Sequence, residues 1–269
     1  MNVIRKFLIP GAAALMLYAG FGPPDAHASA DRPTRELFAY GTIDGLLAGA
    51  YDGELSIAEL SRKGDFGLGT FDHLDGELIM LDGKTFQAKA DGGITLAQPS
   101  QRTPLAYVLT FQAGDIFRLG DTASIADIER LVDARLTNKN RFYGVRVSGM
   151  FAKVRTRAIA AQSKPYRPLA LVAKEQKTFA RDAIAGTLVG IRSPSFSKGI
   201  SVPGWHWHFI DDAHAFGGHV LSTSLIKGKV EVSPVDEFHV RLPTTDGFAA
   251  SDQSQDRSQE LQQVEKGGR

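Results

Sequence analysis

The 269-residue sequence contains no cysteine. That excludes disulfides, thiolate metal sites and a cysteine nucleophile. It also lacks a surplus of either charge, with 31 Lys and Arg against 30 Asp and Glu. Residues 1–30 contribute only Arg5, Lys6 and Asp25, and without them the balance is 29 against 29. A formally neutral chain lacks the cation excess by which a general nucleic-acid binder displaces counterions. Long apolar runs are scarce. The one candidate, Phe7 to Phe21, is interrupted by Pro10, Gly11 and Gly20 and is short for a membrane span. With 43% apolar residues, the remaining length of about 240 residues can bury a sizeable core.

The first thirty residues read as an export signal. Arg5 and Lys6 precede the apolar stretch, and the small-residue run Ala26-His-Ala-Ser-Ala30 follows Pro23 and Pro24. The expected cleavage is after Ala30, giving an exported (periplasmic or secreted) protein with no membrane anchor. No cysteine follows the run, so a lipoprotein is excluded.

The rest reads as many strands and few helices. Leu37 to Thr42 and Tyr107 to Phe111 are expected strands. Glu77 to Leu81, Asp82-Gly83 and Lys84 to Lys89 form a hairpin pattern, since Asp-Gly supplies the positive φ angles of a tight turn. Ile57 to Arg62 reads as a short helix. The clearest helix is Ser124 to Leu136. Its apolar residues Ile125, Ile128, Leu131, Val132 and Leu136 share one face, and Ser124 with Asp127 has capping-box spacing. Beyond it, Phe142 to Val147, Phe151 to Ile159, Ile184 to Ile191, Trp205 to Ile210, His219 to Leu225, Lys229 to Val232 and Phe238 to Leu242 are expected strands. The expected organisation is α/β, with a mixed sheet over 31–140 and a β-rich metal-binding part over 141–248. The tail, 249–269, looks disordered or weakly docked by composition alone.

Four of the six histidines after residue 30 lie within fourteen residues, in Trp205-His-Trp-His-Phe-Ile-Asp-Asp-Ala-His-Ala-Phe-Gly-Gly-His219. On a strand, His206 and His208 project from one face, and Trp205, Trp207 and Phe209 from the other. His219 follows Gly217-Gly218 and opens a strand that could pair back, which makes it the candidate third ligand. His214 sits in the polar connection and is expected to be a loop residue. Imidazole-only ligation suits zinc, copper, iron or nickel, and three histidines with an open position suit catalytic zinc. The alternatives are a structural zinc, or core histidines satisfied by hydrogen bonds. Asp211 and Asp212 could orient a ligand or be solvated.

Several longer motifs resemble the acetolactate decarboxylase family. They are Gly64-Asp-Phe-Gly-Leu-Gly-Thr-Phe-Asp-His-Leu-Asp-Gly-Glu-Leu-Ile79, Tyr143-Gly-Val-Arg-Val-Ser-Gly-Met-Phe-Ala-Lys-Val-Arg-Thr-Arg157, Lys164-Pro-Tyr-Arg-Pro168, Gly186-Thr-Leu-Val-Gly190, Trp205-His-Trp-His-Phe-Ile-Asp211 and Gly217-Gly-His-Val220. Together they run in order from about residue 36 to 248. The resemblance implies two strand-rich parts, a homodimer, and conversion of 2-acetolactate to acetoin and carbon dioxide. It implies one zinc on His206, His208 and His219, with Glu77 and Arg157 in the active site and Thr70 near the substrate. A second glutamate is implied from the tail, 249–269, which by the resemblance folds over the active site: Glu265 by position, with Glu260 as the alternative. One departure is that tryptophans flank His206, where relatives often carry Tyr and Leu.

The substrate's chemistry is compatible with that set. Loss of carbon dioxide leaves two electrons that the neighbouring ketone accepts as an enediolate, and a Lewis acid stabilises that charge. Arg157 would hold the carboxylate, and Glu77 or the tail glutamate would return a proton to carbon. Two other readings share the histidine pattern. They are a cupin-like metal-dependent dioxygenase and an exported, non-catalytic protein with structural zinc.

Overall fold

A computed structural model describes residues 35–120 and 123–266. The expected export signal lies outside the described residues. No helix among the described residues is long and apolar enough to cross a membrane.

The first half of the chain contains β1 (Glu36–Tyr40), α1 (Ile43–Leu47), β2 (Leu55–Ser56), α2 (Ile57–Leu60), β3 (Phe66–Thr70), β4 (Glu77–Leu81), β5 (Lys84–Ala88), β6 (Ile94–Leu96), β7 (Arg102–Thr103), β8 (Leu105–Leu109), β9 (Asp115–Leu119), β10 (Ala123–Ser124) and α3 (Ile125–Asp133). The second half contains β11 (Tyr143–Ala158), α4 (Leu169–Val172), β12 (Lys177–Ser193), β13 (Gly204–Asp211), β14 (Gly217–Pro234), β15 (Glu237–Arg241), α5 (Asp246–Ala250) and α6 (Ser258–Lys266).

Seven strands form one mixed sheet in the order β15-β1-β8-β3-β4-β5-β6. Its pairs are antiparallel except β1 with β15, which is parallel. Thus one late strand, β15, joins the strands of the first half. Both faces of this sheet are buried. Leu37, Ala39, Leu68 and Tyr107 enter one apolar cluster, and Phe38, Tyr40, Leu78 and Val108 enter another together with Ile57 and Leu60 of α2. Burial on both sides explains why these strands read as continuous apolar runs rather than alternating patterns.

The second sheet closes on itself. β11 pairs with β12 and β14, β12 pairs with β13, and the end of β13 pairs with the start of β14. Its interior holds Val145, Val147, Phe151, Leu188, Trp207, Phe209 and Val230, and α3 covers it with Ile128 and Val132. The capping box of α3 forms as its spacing predicts, with Ser124 Oγ accepting from Asp127 N and Asp127 Oδ2 accepting from Ser124 N. The outer face, through Val189, Ile191 and Ile210, packs into the same cluster as the first sheet.

Two segments differ from the sequence expectation. The strand pairs expected on either side of Gly149, and over His219–Leu225 and Lys229–Val232, are single long strands, β11 and β14. Gly149 and Gly228 are register partners, and a Cβ on Gly149 would lie 2.2 Å from Lys227 O. These glycines mark a close approach of two strands rather than turns. The tail is helical over Ser258–Lys266, against its polar composition. Leu261 and Val264, three residues apart, insert into the core, and Thr42 Oγ1 donates to Gln253 just upstream at 2.6 Å.

Candidate metal centre and acid pocket

β13 sets His206 and His208 on one face, as alternation requires, and both are buried. β13 and β14 pair so that His208 and His219 are register partners. The turn between them is held by Asp211, whose Oδ1 accepts from Ala215 N at 2.7 Å and Phe216 N at 2.8 Å. Asp211 therefore builds the hairpin and Asp212 is exposed. His214, at φ 53°, packs tilted against Phe86 with ring centroids 4.5 Å apart and is exposed. Gly218 has φ +133°, and a Cβ there would lie 2.6 Å from Arg157 O, so the glycine lets β14 run against β11 at the site.

One donor atom from each of His206, His208 and His219 lies within 4.8 Å of the others. His206 Nε2 and His219 Nδ1 are 3.2 Å apart. His208 Nδ1 lies 2.8 Å from Leu78 O and can only donate to it, which turns its Nε2 lone pair inward. That Nε2 is buried and has no hydrogen-bond partner among the described residues. Burial, with Arg157 as a second cause, holds His206 neutral, its pKa pushed down to about 3. Burial likewise keeps His208 and His219 well below the ordinary histidine range. Neutral imidazole is the form a metal ion binds.

Two carboxyl groups face this cluster from different elements. Glu77, at the start of β4, accepts from Arg157 Nη1 at 3.0 Å, and its other oxygen is 3.5 Å from His208 Nε2. Arg157 is the register partner of His219 and is buried, unlike Arg155 two residues before it. Glu265, carried by α6, has Oε2 3.7 Å from His219 Nε2 and 3.9 Å from His206 Nε2. Glu260 instead accepts from Arg257 at 2.9 Å, with 41% of its side chain exposed against 15% for Glu265. Burial pushes the Glu77 carboxyl up to about 7, opposed by Arg157 and reinforced by Glu265. Burial, again opposed by Arg157, pushes Glu265 up to about 7. Both can hold a proton near neutral pH, which suits general acids.

Thr70 ends β3 and donates to Gly76 O at 2.7 Å. It lines one cavity together with Glu77, Arg157, His206, His219 and Glu265, and an apolar wall that includes Ile43, Leu74, Ile159 and Leu169 completes it. His73 and Leu74, in the loop before Glu77, both have φ 60°, a strained conformation for non-glycine residues.

The structure thus gathers Thr70, Glu77, Arg157, His206, His208, His219 and Glu265 at one place and leaves His214 and Glu260 outside it. Sequence reasoning missed Leu78, because its contribution is a main-chain oxygen. A second group, Asp52, Asp72 and His73, lies apart, and its acids are already engaged. Lys164 Nζ is 2.7 Å from Asp52, and Gly53 N donates to Asp72.

A family profile described as "Alpha-acetolactate decarboxylase" matches residues 37–255. An alpha-acetolactate decarboxylase of Methanosarcina mazei is 40% identical over 230 residues, spanning 86% of this chain and 80% of the relative. One of Bacillus subtilis is 36% identical over 236 residues, spanning 87% and 92%. The crystal structure of alpha-acetolactate decarboxylase from Bacillus subtilis strain 168 superposes with a TM-score of 0.84 at 34% identity, covering 87% of this chain and all of that one.

Proposed function

Because this chain belongs to the alpha-acetolactate decarboxylase family, we propose that it converts 2-acetolactate to acetoin and carbon dioxide with one zinc ion held by His206, His208 and His219. The donor set fits that ion. Three neutral nitrogens converge, one buried nitrogen lacks any other partner, and the sequence offers no thiolate.

The residues divide the work as follows. Arg157 binds the substrate carboxylate. One of its nitrogens already holds Glu77, while its buried Nε has no hydrogen-bond partner among the described residues and is available to the ligand. Thr70 and the apolar wall fix the remainder of the small acid and exclude water. When bound, zinc supplies Lewis-acid stabilisation of the negative charge that develops as carbon dioxide leaves. The bond to the carboxyl carbon breaks, and its electrons pass into an enediolate. One proton must then reach carbon for each turnover. Glu265 is the donor in this reading, because its carboxyl is not engaged by Arg157 in a hydrogen bond, whereas that of Glu77 is. Glu77 keeps Arg157 oriented.

The observation that carries the reading is the meeting of a cluster of three buried neutral histidines, two of which line the cavity, with two protonatable carboxyls that line it as well. The test is to incubate the purified chain with 2-acetolactate and follow acetoin and carbon dioxide before and after chelation. Activity should vanish on chelation and return with zinc. Undiminished activity in protein shown to be free of metal would sink the zinc assignment.

Export and dimerisation complete the proposal. The basic-apolar-small pattern of residues 1–30 supports export. The free edges of the seven-stranded sheet, β6 and β15, support pairing with a second copy. Light scattering at micromolar concentration should give twice the chain mass.

A further inference from the structure

Among the three ligands, His206 is the one whose ring has no anchor outside the cluster. Leu78 O fixes His208, and Glu265 O lies 3.3 Å from His219 Nε2. Nδ1 of His206 is buried without a hydrogen-bond partner among the described residues. A ligating histidine is ordinarily aimed by a group that holds its second nitrogen. Outside its contacts with the other two rings, the direction of the His206 ring therefore depends on where its backbone is held.

That backbone is clamped from the opposite face of β13. Trp205 and Trp207 flank His206 and stack with centroids 5.0 Å apart and planes 5° from parallel. Trp207 Nε1 donates to Glu129 at 3.1 Å, and Trp205 Nε1 donates to Asp133 at 3.3 Å. The two acceptors are four residues apart on α3 and so share a face. Asp133 is also 3.3 Å from Arg192, the register partner of Trp205 on β12. Trp207 lies over Gly190, where a Cβ would come within 2.1 Å of the indole. Glycine at that position lets the ring lie flat against β12.

We propose that the Trp205–Trp207 stack, tied to Glu129 and Asp133 of α3, is a positioning brace that presets His206 and tightens metal binding. The proposal rests on the zinc reading above. It predicts an effect on the metal from residues that touch neither metal nor substrate, through the two sides of one strand.

The test measures zinc affinity of the full chain by competition with a chromophoric chelator, and the visible spectrum of the cobalt-loaded protein. Trp207→Phe keeps an aromatic ring but loses the N–H donor. It should weaken zinc about tenfold or more and shift the cobalt bands, a readout that general loosening of the fold does not move. Glu129→Ala should act in the same direction, and Glu129→Gln, which keeps an acceptor, should restore both affinity and spectrum. Wild-type affinity and an unshifted cobalt spectrum in Trp207→Phe and Glu129→Ala overturn the brace. A loss of affinity without a spectral shift also overturns it, since that is the mark of destabilisation alone. If Trp207→Phe does not fold, the Glu129 pair carries the test. If the wild-type chain takes up neither metal, the zinc reading falls and the brace falls with it, a result distinct from the other two.

Discussion

Helix α3 lies behind β13, against the face that carries Trp205 and Trp207, while α6 lies on the histidine side and brings Glu265 to within 4 Å of two of the rings. Each is nine residues long. α3 has a closed capping box, an ion pair from Asp127 to Arg130, and two fully buried residues in the interior of the second sheet. α6 buries Leu261 and Val264 and sets Glu265 against His206 and His219, and the segment before it is tied by Thr42 and by Lys198, which lies 2.8 Å from Asp256. The better-capped helix thus backs the histidine strand and the other carries Glu265 to the cluster. Segments of low local stability are where moving and ligand-contacting parts are found.

That contrast can be broken in several ways. Deleting residues 258–269 should lower kcat by about a hundredfold or more, the scale for losing a positioned acid, while the sheet signal by circular dichroism stays near wild type. Full activity in that truncation would reduce α6 to a surface decoration and leave Glu77 as the acid. Glu265→Gln should reproduce most of the loss in steady-state kinetics. Next in size, Arg157→Lys should cost about tenfold to a hundredfold in kcat/KM, since lysine keeps the charge but not the paired donors. On the other helix, Ser124→Ala removes a cap and should cost about 1 kcal/mol in denaturant unfolding, with turnover of the folded enzyme unchanged. Smallest of all, Glu260→Gln should leave kcat and KM at wild-type values, because that side chain is turned toward Arg257 and solvent.

Legibility in the sequence follows the range of the forces involved. Ser124, Asp127 and the apolar face of α3 interact over one or two turns, so their spacing carries the whole argument. His206 and His208 are equally local, since strand alternation fixes their common side. His219 required one further step, a hairpin, whose turn the structure places over 212–216 with Gly217 and Gly218 already in β14. The fold class, an α/β arrangement with mixed sheets, was visible in the hairpins and in α3. Other features depend on partners far along the chain. Gly149 reads as a break until Gly228 is seen opposite it. The Leu78 carbonyl that aims His208 is 130 residues away and leaves no side-chain signature. α6 is polar enough to look disordered, and becomes a helix because the first sheet and α4 offer Leu261 and Val264 a place to bury. The motif resemblance pointed to a tail glutamate where composition pointed to none.

The chain contains two tryptophans, and both sit in the stack behind His206. Ultraviolet fluorescence excited in the indole band therefore has one origin, the strand between α3 and the histidine cluster. Two nearly parallel indoles 5.0 Å apart couple their transitions, so the pair should give a circular dichroism couplet that disappears when the stack opens. An unfolding curve followed by emission then reports release of β13 from α3, while the amide bands report both sheets. If the two curves separate, the histidine strand loosens before the rest of the protein, and the chain records the event with an unlabelled optical gauge.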